Sequence, residues 1–154
     1  MTTFYSLDRA NQRLRDVRPI LEDLRARRAE LIGLRDRLAA NLVDLPASPQ
    51  GPQAVIGSLV EDALSDAAGT GSPASGRVLA ARIQAVIDQM QAAVERLDGW
   101  DVMLRDIETG LVDFPALVAG RQVWLCWRLG EGDVEWWHEL STGVAGRLPL
   151  AELA

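Results

Sequence analysis

Residues 121–140 read RQVWLCWRLGEGDVEWWHEL. The first part, 121–129, is rich in Val, Trp, Leu and Cys. The last part, DVEWWHEL at 133–140, has the same character, and Gly130-Glu131-Gly132 lies between them. Two runs of β-forming residues around a short glycine turn predict a β-hairpin. Successive side chains on a strand point to opposite faces, so Trp136 and Trp137 divide between a core face and an interface face. Register decides the rest. If Leu129 pairs with Asp133 across a three-residue loop, Cys126 faces Trp136. His138 is then diagonal to it on the same face, with Trp124 and Arg128, while Leu125 and Trp127 lie opposite. If Gly130 pairs with Asp133, Cys126 faces Trp137 and His138 moves to the other face. The three-residue loop is the expectation.

Upstream of this hairpin, Trp100, Val102 and Leu104 alternate with Asp101 and Arg105, which predicts a further strand. The alternative is a helix continued through Gly99 to Ile107. Residues 100–154 are therefore expected to form a Trp-rich antiparallel sheet of two or three strands, too small to fold alone and packed on a helical part.

The helical part has a different composition. Residues 6–99 contain no aromatic residue. Ser6 is a suitable N-cap. From there one heptad position reads Leu7, Leu14, Leu21, Arg28, Arg35, Leu42, and the other Ala10, Val17, Leu24, Leu31, Leu38, Leu45. This is a coiled-coil-like seam, with the arginine stems covering its edge. Pro19 removes a backbone donor and is expected to kink or split the helix. A helix over 7–44 would be about 57 Å long. PASPQGP (46–52) ends it, a weaker helix is expected over 53–68, and GTGSPASG (69–76) reads as a flexible linker. Residues 77–98 repeat the two-position seam through Leu79, Ile83, Val86, Met90, Ala93 and Leu97, with Gly99 as a C-cap. The fold class is α+β: a long antiparallel helical hairpin over 1–99, with a flexible insertion at 46–76, then the β tail at 100–154, as one folding unit. One hairpin buries only a stripe of each helix, so a homodimer through the helices is expected, with Ile20 and Leu34 as second contacts.

Composition narrows function. The chain of 154 residues is 48% hydrophobic and 25% charged, an ordinary globular balance. Its formal charge is -6, which argues against coating a nucleic acid. Residues 1–45 carry 9 Arg against 7 acids, 46–99 carry 3 against 6, and 100–154 carry 4 against 9. All 16 basic residues are arginine, a pattern that coding bias explains. No apolar run is long enough to span a membrane, and the N-terminus does not read as a secretory signal. The lone Cys126 excludes an internal disulfide and a multi-cysteine zinc knuckle. The lone His138 excludes a two-histidine metalloprotease motif.

The unusual polar residues lie in the tail: Asp113, Arg121, Cys126, Arg128, Glu131, His138, Glu139 and Arg147. Cys126, His138 and carboxylates among Asp113, Glu131 and Glu139 have the donor types of a divalent-metal site, though not a known spacing. Cys126 with His138 as base would make a nucleophile, but the flanking Leu125 and Trp127 point to a buried, inert thiol. The plain alternative is a core cysteine, and a histidine held by an acid or backbone oxygen. Trp136, Trp137 and Arg147 are the candidates for a protein-partner surface. The expectation is a non-enzymatic, dimeric interaction or scaffold protein without cofactor. The alternative is a small metal- or ligand-binding protein, an enzyme included, with its site in the tail around Cys126, His138, Glu139 and Asp113.

Several short stretches add a resemblance. GLVDFPA (110–116), LCWRLGE (125–131), WHEL (137–140) and GRLPL (146–150), with LDRANQRLRDVRPILEDLR (7–25) at the front, resemble the uncharacterised bacterial family known as domain of unknown function 2203. The resemblance implies a small cytoplasmic bacterial protein with a helical front and a motif-rich tail. It supplies no catalytic residue.

Overall fold

The computed structural model describes residues 1–42 and 74–153. The expected helix over 53–68, the breaker segment 46–52 and the start of the linker lie outside them. Helix α1 runs Leu7–Leu42 and α2 Ala74–Gly99. They are followed by strands β1 Met103–Asp106, β2 Leu111–Val118, β3 Arg121–Arg128, β4 Trp136–His138 and β5 Leu148–Pro149. The class is α+β, as the sequence implies. The sheet is larger than the two or three strands expected: five antiparallel strands in the order β1-β2-β3-β4-β5. Among the described residues no helix is long and apolar enough to cross a membrane.

The chain divides into two compact units, Met1–Ala26 with Ala92–Ala154, and Arg27–Gln91. In the second unit Leu31, Leu34 and Leu38 of α1 pack with Leu79, Ile83 and Val86 of α2, and Arg82 pairs with Glu30 outside them. In the first, the start of α1 lies with the end of α2: Arg13 covers the Trp100 ring and the Tyr5 hydroxyl donates to the Trp100 carbonyl. This is the order of an antiparallel hairpin.

Two helical expectations need correction, and one is narrowed. Pro19, expected to kink or split α1, does not split it: the helix runs through Pro19 without a break. Residues 74–76, read as linker, are the first turn of α2. Ile20 and Leu34, proposed as dimer contacts, are buried in the chain itself, while Arg35 is exposed. A 3.6-residue helix drifts about 20° per heptad against a 3.5-residue repeat, and this brings Leu34 onto the buried stripe in place of Arg35. Ser6 does cap α1, accepting from the Arg9 N–H. The left-handed residue that closes α2 is Asp101 (φ 56), not Gly99. Val102 N–H donates to the Leu97 carbonyl and Asp101 N–H to that of Asp98, a Schellman closure with Val102 and Leu97 both buried.

The sheet has two different faces. Val112, Phe114 and Ala116 of β2, Val123, Leu125 and Trp127 of β3 and Trp137 of β4 form the inner face. They are buried together with Ala10, Leu14, Val17, Leu21, Leu24 and Leu97 of the helices. Pro115 is tolerated in the middle of β2 because the pairing with β1 stops at Asp113. Beyond it, the Tyr5 N–H donates to the Pro115 carbonyl at 2.7 Å. Gly110, in the turn before β2, has φ +66, and a Cβ there would lie 2.5 Å from the Leu129 side chain, so only glycine fits.

Candidate functional site

The outer face places Asp113 opposite Cys126, Cys126 opposite Trp136, and Trp124 opposite His138. This is the register expected of the three-residue loop. The loop itself is longer, because regular pairing stops at Cys126 and Trp136. Residues between them are held by side chains instead: Arg128 N–H donates to Glu131, Trp127 Nε1–H to the Gly132 carbonyl, and Val134 N–H to Asn11.

Three consecutive strands thus bring Asp113, Cys126 and His138 together, each fully buried, with one potential ligand atom from each lying within 4.8 Å of the others. Asp113 Oδ2 accepts from Arg105 Nε at 2.8 Å and lies 3.0 Å from His138 Nε2, while its Oδ1 has no hydrogen-bond partner. His138 Nδ1 is 2.8 Å from the backbone carbonyl of Glu139. A carbonyl only accepts, so Nδ1 carries the proton.

The Cys126 thiol is buried between its strand partners Asp113 and Trp136, with Arg147 stacked on the Trp136 ring. Burial, and then the Asp113 charge, push it up to about 11 against the opposing pull of Arg147. A thiol so placed is protonated at neutral pH and enclosed, which removes the two requirements of a nucleophile. His138 is bonded to Asp113 rather than set against the sulfur, so the general-base role has no geometry either.

A layer of arginine on tryptophan covers the triad. Arg105 lies 5.0 Å from the Trp124 ring centroid and Arg147 4.4 Å from that of Trp136. Arg147 also binds Glu131 at 2.6 Å, and Arg128 lies 3.8 Å from the same carboxylate. Of the candidates named from sequence, Asp113, Cys126, His138, Glu131, Arg128 and Arg147 meet on this face. Glu139 does not: its carboxylate turns outward to Arg121 at 2.6 Å, and only its carbonyl serves the site. Trp137 belongs to the inner face and is buried, while Trp136 is half-buried under Arg147. Sequence reasoning missed Arg105. The period-2 alternation marked it as polar, but β2 was not recognised as its neighbour, so nothing joined it to Asp113.

The stretches GLVDFPA, LCWRLGE, WHEL and GRLPL, which carried the resemblance, supply Asp113, then Cys126, Arg128 and Glu131, then His138, then Arg147. The family model described as an uncharacterized conserved protein (DUF2203) matches residues 3–150. No curated protein and no solved structure matches the chain.

Proposed function

The chain belongs to the uncharacterized DUF2203 family, and from the chemistry of its outer sheet face we propose that it is a metal-binding protein whose ion is held by Asp113, Cys126 and His138. One observation carries this reading. With Nδ1–H committed to the Glu139 carbonyl, a neutral His138 ring turns its Nε2 lone pair toward Asp113 Oδ2 at 3.0 Å. Two acceptors in contact require a cation between them. A proton supplies it in the metal-free chain, and a metal ion would also engage Cys126, whose sulfur lies within 4.8 Å of ligand atoms of both Asp113 and His138. A histidine that donates its far ring nitrogen to a backbone carbonyl is also the usual second-shell arrangement of a metal ligand. The mixed N, O and S donors suit zinc or a neighbouring transition ion and are too soft for magnesium or calcium.

The test is metal analysis of the natively purified protein, followed by titration of the metal-free protein with zinc. One ion per chain is expected, lost on Cys126→Ser and on His138→Ala, with both variants still folded by circular dichroism. Binding unchanged in either variant would overturn the assignment. Affinity should rise with pH by about tenfold per unit for each proton displaced, because the ion must replace the proton on the raised thiol.

A second reading, a dimeric scaffold of coiled-coil type acting without catalysis, is supported by Ile32 and Val78, both exposed in the helical unit. The two readings are compatible, since the ion would sit on the sheet. A bacterial, cytoplasmic setting is part of both, and one unpaired buried thiol suits a reducing compartment.

A further inference from the structure

Three cationic side chains surround the proposed ion. Arg105 touches Asp113, Arg147 touches Glu131 and lies on the Trp136 ring beside Cys126, and Arg128 approaches Glu131. They bind two carboxylates, Asp113 and Glu131. Three protein donors leave a tetrahedral ion one open position.

Two buried polar atoms on this face show what is missing. Asp113 Oδ1 is an acceptor without a hydrogen-bond partner, and Arg147 Nη1 is a donor without one. Asp113 is the strand partner of Cys126 on one side, and Arg147 lies on Trp136, its strand partner on the other. A cation alone satisfies the carboxylate and leaves the guanidinium unpaired; an anion alone does the reverse. A cation that carries an anion satisfies both.

Resting on the metal reading above, we propose that the fourth position of the ion takes a small oxyanion, the carboxylate or phosphate group of a ligand, and that Arg147 holds this oxyanion through Nη1. Arg147 is prepared for the task. Its Nη2 is fixed on Glu131 at 2.6 Å and its guanidinium plane rests on Trp136, so the fork keeps one orientation with one edge free. A planar fork is the group that recognises carboxylate and phosphate oxygens two at a time. Glu131 is then a positioning residue.

Cobalt(II)-loaded full-length protein provides the test, because the visible bands of the ion report a change of ligand directly. Acetate, inorganic phosphate and chloride are titrated separately. Acetate or phosphate is expected to shift the bands saturably, and the tighter of the two assigns the headgroup of the natural ligand. Arg147→Gln should weaken that binding by about tenfold or more while cobalt still binds. Arg147→Lys keeps the charge without the fork and should weaken it as well. Glu131→Gln, which loosens the fork that Glu131 positions, should also weaken anion binding, though less than Arg147→Gln does. Cobalt bound with no response to either oxyanion, a chloride response equal to theirs, or full oxyanion affinity in both Arg147 variants would overturn the inference and leave the metal reading standing. Failure to bind cobalt would overturn both.

Discussion

At the scale of single residues, Cys126 makes a measurable prediction. Its thiol is pushed up to about 11 in the folded chain, chiefly by burial, whereas an unfolded thiol titrates near 8.5–9. The folded state therefore holds the proton more tightly. Its contribution is complete below pH 9 and is lost as pH rises toward 11, on the order of 2–3 kcal/mol. Urea unfolding of the metal-free protein across this range should show that loss, and Cys126→Ala should flatten it; parallel curves for the two would refute it. The polar triad was partly legible in the sequence, because a lone Cys and a lone His in a strand pair have few places to go once the register is set. Arginine was not. Every one of the five tryptophans has a guanidinium over its ring, at 4.4–5.9 Å from the centroid. The absence of lysine, attributed to coding bias, thus coincides with a structural use: a planar cation stacks on an indole and still donates in its own plane.

At the scale of elements, the helices were legible because a repeating apolar stripe is strong over ten turns. The tail was harder. β2 reads LVDFPALV: six consecutive buried residues, with no alternation to mark a strand and a proline in the middle. Period-2 patterning fails when both faces are covered. β5 has two residues and no pattern at all. The heptad reading was right in kind, and its drift is testable. Leu24→Ala and Trp127→Ala remove fully buried side chains and should cost roughly 2–5 kcal/mol. Arg28→Ala, on the same nominal seam as Leu21, should cost less than about 1 kcal/mol. Chemical denaturation measures all three, and equal losses would mean that the buried stripe is misassigned.

At the scale of the whole molecule, the expectation is a homodimer. Ile20 and Leu34 are already covered, so the contact shifts to the exposed Ile32 and Val78. Light scattering at micromolar concentration should give about twice the 16.8 kDa of one chain, and Val78→Glu should return it to that mass. A monomeric wild type would remove the dimer from the functional reading. Because the proposed ion lies on the sheet, metal binding should survive Val78→Glu unchanged.

The first residues of the chain close onto its later half: Thr3 N–H on the Asp101 carboxylate, the Tyr5 hydroxyl on Trp100, and Tyr5 N–H on Pro115. On a ribosome these partners arrive late. At about 5–20 residues per second, the roughly one hundred residues between Tyr5 and Pro115 take about 5–20 s to be made. For that time Leu14, Val17, Leu21 and Leu24 have no sheet to cover them. A nascent chain of this sequence carries an uncovered apolar stripe from its first turns onward, and a chaperone that binds such stripes has its longest opportunity here, before Trp137 has been translated.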